Sequence, residues 1–128
     1  MIGDEDPRLA HLTAICAALP ETARERSGRH ATFRVGRRTF AYYLDDHHGD
    51  GIVGVVWKGA EGQLEGLVDA DPARFYRPAY LHHRGWIGLR LDRNAIDWDE
   101  VADFVTDGYL LVAPKRLAAR VEAAGAGG

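Results

Sequence analysis

The chain has 128 residues, with 16 Lys and Arg against 19 Asp and Glu, a net charge of −3 and 46% hydrophobic residues. This composition is typical of one globular domain and excludes wholesale disorder, collagen and a long coiled coil. It also excludes a uniformly basic surface, and no apolar run approaches the roughly 20 residues that a membrane-spanning helix needs.

The single cysteine cannot form an intramolecular disulfide, and the acidic N-terminal residues do not resemble a signal peptide. We therefore expect a cytoplasmic protein.

Charge is strongly segregated along the chain. Residues 24–38 hold six Arg and one Glu, whereas residues 92–107 hold six acids and one Arg. A modest net charge is thus compatible with a basic surface, if the fold brings the basic segments together.

The first half of the chain predicts one helix followed by an antiparallel meander. Residues 7–19 carry apolar side chains at helical spacing, with Asp6 as N-cap and Pro7 in the first turn. Cys16 lies on this apolar stripe, so we expect it to be buried. Residues 32–35 and 38–44 predict a hairpin with a turn at Gly36 and Arg37, and alternation along its second strand places Phe40, Tyr42 and Leu44 on one face. Residues 52–58 predict a third strand. Short connections favour antiparallel pairing.

The second half predicts a short helix near residues 64–68, an irregular stretch over residues 75–84, and a strand over residues 86–91. In this strand, Ile87, Leu89 and Leu91 alternate with Trp86, Gly88 and Arg90, so the two sets face opposite ways. Asp97 and Glu100 form a capping box that starts a helix, which we expect to close or bend at Asp107 and Gly108. Pro114 can then open a last helix. The order α-β-β-β-α-β-α-α predicts an α+β domain over residues 6–122, with helices on one face of a small antiparallel sheet and a flexible tail over residues 123–128.

Five segments together resemble the MmcQ/YjbR family: LPET, FRVGRRTFAYY, PAYLHHRGWIGLRLD, DWDEVADFV and YLLVAPKRLAARV. The resemblance spans about residues 8–122. It implies a fold similar to frataxin and CyaY, and a DNA-binding role through a double-wing motif. Fold alone does not confer function.

If the predicted hairpin is a wing, it carries Arg34, Arg37 and Arg38, with Arg29 on its approach. Lys115 and Arg116 would add a second basic surface. Arg side chains match phosphate geometry, so we expect weak, salt-sensitive nucleic-acid binding without chemistry. The alternative is that these arginines are solvated or paired with the acidic segments.

A second interpretation is a small-ligand or metal-binding module. The side chains that could line an open sheet face with aromatic and basic groups are Tyr80, His82, Arg84, Trp86 and Arg90. The loop DDHHGDG at residues 45–51 offers imidazoles and carboxylates, but adjacent residues on an extended chain point in opposite directions. No nucleotide-binding or nucleophile motif is present, so we expect no enzyme, no cofactor, no resident metal and a monomer.

Overall fold

A computed structural model describes residues 5–93 and 95–127. Its helices and strands, in chain order, are α1 (Pro7–Ala17), β1 (Thr22–Ser27), β2 (His30–Val35), β3 (Arg38–Asp45), β4 (Val53–Lys58), α2 (Gln63–Ala70), β5 (Phe75–Tyr76), β6 (Trp86–Arg90), α3 (Trp98–Val112) and α4 (Lys115–Gly127). Within this part of the chain, the strands form one sheet in the order β1-β2-β3-β4-β6-β5. All neighbouring pairs are antiparallel.

The main core lies between one face of the sheet, here called the helix face, and the four helices. Trp57 stacks on Phe104 of α3 with ring centroids 4.5 Å apart. Helices α1, α2 and α4 contribute Leu12, Leu64 and Leu117, respectively, to the same core. Cys16 is buried in this core, as its apolar spacing predicted. The α+β fold class, with helices on one face of a small antiparallel sheet, is therefore confirmed.

The opposite side of the sheet, here called the second face, carries a smaller apolar cluster. Leu44, Val56 and Trp86 are buried there beneath Tyr76 and neighbouring apolar side chains. The alternation expected for β6 is confirmed, because Ile87 and Leu89 belong to the main core whereas Trp86 faces the other way.

Two strands are present in addition to the four that the sequence predicted. β1 has the sequence TARERS, in which five of the six residues are exposed, so it shows no apolar alternation. β5 has only two residues. Both lie at the edges of the sheet, where charged or very short strands are common because they discourage pairing with another chain.

A β-bulge in β3 changes which face its residues occupy. Phe33 pairs with Ala41 and Arg34 pairs with Thr39, so Phe40 is the extra residue. As a result, Phe40 and Ala41 both belong to the main core. Simple alternation put Phe40 on the face of Tyr42, and the bulge makes that expectation wrong.

Helix α3 does not close at Gly108 but continues to Val112, so residues 109–112, expected outside the helix, belong to it. Its start is as predicted, since the Asp97 side chain accepts hydrogen bonds from the Asp99 and Glu100 amides. A β-carbon at Gly108 would lie 2.9 Å from the Phe40 carbonyl oxygen. The glycine therefore allows close approach of helix and sheet instead of ending the helix.

The predicted boundaries of the outer helices shift by a few residues. Asp6 caps α1 as expected, with its carboxylate 2.8 Å from the Arg8 amide, but the helix ends at Ala17 rather than at residue 19. Helix α4 runs to Gly127, so the predicted tail over residues 123–128 begins inside it. Residue 128 lies outside the described residues. Among the described helices, none has both the length and the apolar character required to cross a bilayer.

Candidate nucleic-acid interface

Strand register defines the two ends of the sheet. Thr22 pairs with Val35, Val35 with Arg38, and Lys58 with Trp86, so these residues lie at one end, here called the turn end because it carries the β2–β3 turn. The opposite end, here called the loop end, carries the β1–β2 turn and the loop that follows β3. The Arg and Lys side chains on the strands and turns can therefore be assigned to one end of the sheet or the other.

Arg37 and Arg38 lie at the turn end and are exposed. Gly36 takes a φ of +60°, which allows the chain to reverse between β2 and β3. Within residues 5–93 and 95–127, neither arginine forms an ion pair. Both guanidinium groups are therefore available to an external anion.

Arg34 projects from the second face of the sheet, because its neighbours Phe33 and Val35 are buried in the main core. Its guanidinium lies 3.3 Å from the Glu25 carboxylate on β1. The Arg34 side chain is 40% exposed and that of Glu25 is 65% exposed, and such surface pairs contribute about 0–1 kcal/mol. Glu25 therefore offers little resistance to a competing phosphate.

The start of α4 also lies at the turn end. Both terminal nitrogens of Arg116 contact Glu21, at 2.9 and 3.1 Å, and Glu21 directly precedes β1. The hydrogen bonds from Arg116 lower the pKa of Glu21. Arg120 is 3.9 Å from the same carboxylate. The fold thus brings Lys115 and Arg116 to the predicted wing, but Glu21 offsets part of their charge.

Arg29 is separated from the other predicted residues. It lies in the β1–β2 turn at the loop end, about 20 Å from the β2–β3 turn at 3.4 Å per residue of strand. Arg24 and Arg26 on β1 both bind Glu5, at 2.7 and 2.8 Å. The arginine run of residues 24–38 is therefore divided between the two ends of the sheet and does not form one patch.

Lys58 is a cation at the turn end that the sequence did not single out. It ends β4, its amine lies 5.8 Å from the Trp86 ring centroid, and it donates a hydrogen bond to the Arg84 carbonyl oxygen. The Arg84 side chain is exposed. The only signal for Lys58 is the register of β4 against β6, which cannot be read from the sequence.

Acidic side chains at the turn end lie toward the helices. Glu61 and Asp107 line a cavity of about 590 Å³ between α2 and α3, together with the half-exposed Leu111. Burial, with a smaller contribution from Asp103, raises the pKa of Asp107. These carboxylates would repel a polyanion on the helix side, so the approach to Arg37 is more favourable from the β2–β3 turn.

The predicted aromatic–basic surface over residues 80–90 is not one open face. Trp86 is only 8% exposed, because Tyr42, Tyr76 and Leu81 pack over it. Arg90 binds Asp92 at 2.9 Å. The expectation that Trp86 is available for stacking is wrong, because Tyr76 of β5 and Leu81 from the segment after it cover this part of the second face.

The other residues predicted for that surface, His82, Arg84 and Tyr80, do not lie together around one site. His82 packs against His83 with ring centroids 3.9 Å apart, next to the exposed Arg84. Tyr80 is 73% exposed and contacts His48, with ring centroids 4.6 Å apart. Tyr80 therefore faces the loop after β3 and not Trp86.

The loop after β3 gathers imidazoles but shows no metal centre. His47 lies 4.2 Å from His48 and 5.9 Å from His30, measured between ring centroids. Burial, then the neighbouring His48 and His30, lower the pKa of His47. Over the described residues, no group of three or more His, Cys, Asp or Glu side chains has the geometry to hold a metal ion.

Comparison with known proteins identifies the family. The YjbR family model matches residues 17–111, which contain all six strands of the sheet and most of α3. The chain belongs to the YjbR family. No curated protein matches the chain.

The YjbR fold is also seen in a solved structure. The chain is similar to a crystal structure of the Deinococcus radiodurans protein DR2400, which has a DUF419 domain. The TM-score is 0.67 at 22% sequence identity, over 84% of this chain and 79% of that one. At this identity, the similarity supports the fold of this YjbR chain and assigns no activity to it.

Proposed function

We propose that this YjbR-family chain is a non-enzymatic protein that binds nucleic acid through the turn end of its sheet. The observation that supports this is the position of Arg37 and Arg38. Both are exposed on a tight turn without an ion pair among the described residues, and Lys58 and Lys115 lie at the same end.

Binding of this kind would be dominated by phosphate contacts. Arg guanidinium groups form paired hydrogen bonds to phosphate oxygens, and each phosphate neutralised releases counterions. Arg34, Arg37, Arg38, Lys58, Lys115 and Arg116 allow four to six such contacts. We expect roughly micromolar affinity at low salt, with little dependence on base sequence, because phosphate contacts carry no sequence information.

A pair of charge-matched double variants tests the proposal. Arg37/Arg38→Ala removes two cations from the turn end, whereas Arg29/Arg93→Ala removes two exposed cations that lie elsewhere. Labelled duplex DNA is titrated with each protein at a series of salt concentrations. We expect Arg37/Arg38→Ala to reduce the slope of log K against log salt by about 2, and the control to leave it nearly unchanged.

Two results would contradict the proposal. One is the absence of detectable duplex binding by the parent chain at low salt. The other is an equal loss in both double variants, which would mean that net charge and not the turn end determines binding. Thermal unfolding of each variant shows whether its fold is intact, and none of the four arginines is buried.

A further inference from the structure

A groove of about 370 Å³ opens on the second face of the sheet, remote from Arg37 and Arg38. Its apolar floor includes Tyr42, Leu44 and Leu81, and its rim includes His47, His48 and Tyr80. The volume is within the range of small-molecule sites, which are mostly apolar with a few polar groups at their edges. The groove is thus large enough for a mono- or bicyclic ring.

Two residues on the rim adopt backbone conformations that are unfavourable for their type. His48 has a φ of 54° and Tyr80 a φ of 67°, in the left-handed region that favours glycine. They are 32 residues apart in the sequence, and their ring centroids lie 4.6 Å apart. Strain of this kind persists where the surrounding structure imposes it, and it is concentrated at binding and active sites.

Tyr80 is also the most exposed large hydrophobic side chain among the described residues, at 73%. An exposed aromatic side chain on a strained backbone contributes little to the stability of the fold. It buries little apolar area, and its backbone conformation is one that Gly would adopt more easily. A ligand that covers the ring would bury the apolar surface that the fold leaves exposed.

We propose that the groove binds a small, uncharged, planar aromatic molecule. Four of its lining residues, namely Tyr42, His47, His48 and Tyr80, present rings, which pack against other rings by edge or offset contacts. Burial and the neighbouring imidazoles favour a neutral His47. Stacking and apolar burial, and not ion pairing, therefore select the ligand.

The position of the groove favours a free small molecule over an unpaired nucleobase. Leu44 pairs with Gly54, and His48 follows the last residue of β3, so the groove lies toward the loop end. A nucleic acid held by Arg37 and Arg38 would contact the opposite end of the sheet. The inference is therefore independent of the proposed nucleic-acid binding.

The test uses indole as the probe, cyclohexanol as a non-aromatic ring and benzoate as an aromatic anion. Side-chain resonances of His48 and Tyr80 are followed by NMR as each is added to the full chain. We expect indole to shift these resonances at millimolar concentration or below, and cyclohexanol and benzoate to bind about five- to tenfold more weakly. A single-stranded oligonucleotide serves as the competing class of ligand.

Glycine substitutions show whether His48 and Tyr80 bind a ligand or only stabilise the fold. Tyr80→Gly and His48→Gly remove the unfavourable φ, so we expect each to raise the melting temperature by a few degrees while weakening indole binding about five- to tenfold. Tyr80→Phe should retain binding, since it keeps the ring. Leu111→Ala, in the cavity between α2 and α3, is the matched control and should leave binding unchanged.

Three outcomes would overturn the inference. The first is that indole produces no shift at His48 and Tyr80, and the second is that it binds equally well to the glycine variants. The third is a response to the single-stranded oligonucleotide but not to indole, which would assign the groove to nucleic acid.

Discussion

Gly108 lies where α3 crosses the sheet, and its missing side chain determines how closely the two approach. A β-carbon there would lie 2.9 Å from the Phe40 carbonyl oxygen and 3.2 Å from the Lys58 amide nitrogen. Both are backbone atoms, which cannot move aside without displacing a strand. We expect Gly108→Ala to lower the free energy of unfolding by about 1–3 kcal/mol, measured by urea denaturation.

Gly66 provides the matched control for that prediction. It also lies within a helix, α2, but a β-carbon there would meet nothing within 4 Å. Because Ala is the better helix former by about 0.5–1 kcal/mol, Gly66→Ala should stabilise the protein. An equally stabilising Gly108→Ala would show that α3 can move away from β3 and β4 at little cost.

At the scale of secondary-structure elements, Tyr76 of β5 and the segment after it determine what the second face presents. Tyr76 lies across Gly54 and Gly88, where a β-carbon would collide with its ring, and it packs in the cluster that buries Trp86. We expect Tyr76→Ala to cost about 2 kcal/mol and to shift tryptophan emission to longer wavelength as Trp86 becomes exposed.

The control for Tyr76→Ala is Tyr80→Ala, which removes a side chain of the same size from the same segment. Because Tyr80 is mostly exposed, this change should alter neither the stability nor the emission appreciably. Equal effects from the two variants would mean that the cover over Trp86 does not depend on Tyr76.

At the scale of the whole molecule, ion pairs determine which arginines can bind an external anion. Glu21 holds Arg116 and Arg120 at the turn end, whereas Glu5 holds Arg24 and Arg26 near the start of α1. Each glutamate therefore restrains two arginines, in different parts of the surface.

This arrangement predicts effects of different size for two charge-equivalent variants. We expect Glu21→Gln to tighten duplex DNA binding and steepen its salt dependence by up to about 2, because two cations at the turn end are released. Glu5→Gln makes the same change in net charge but should have a smaller effect. Equal tightening in both, measured by fluorescence anisotropy, would argue against an interface at the turn end.

Local features of the sequence predicted the starts of α1 and α3, the β2–β3 turn and the alternation of β6. Asp6 and Asp97 accept hydrogen bonds from amides two or three residues further along the chain, so their effect depends only on nearby residues. The family resemblance added the overall fold, which the match over residues 17–111 confirms.

Contacts between distant segments determined the rest. The side of the sheet that Phe40 faces depends on a bulge against β2, and the burial of Trp86 depends on Tyr76 and Leu81 folding back over it. The division of the arginines depends on register, since Arg29 and Arg37 lie at opposite ends of one strand. The residues and their charges are properties of the sequence, but only the tertiary structure decides which charges are paired and which rings are covered, because the partners are up to 95 residues away.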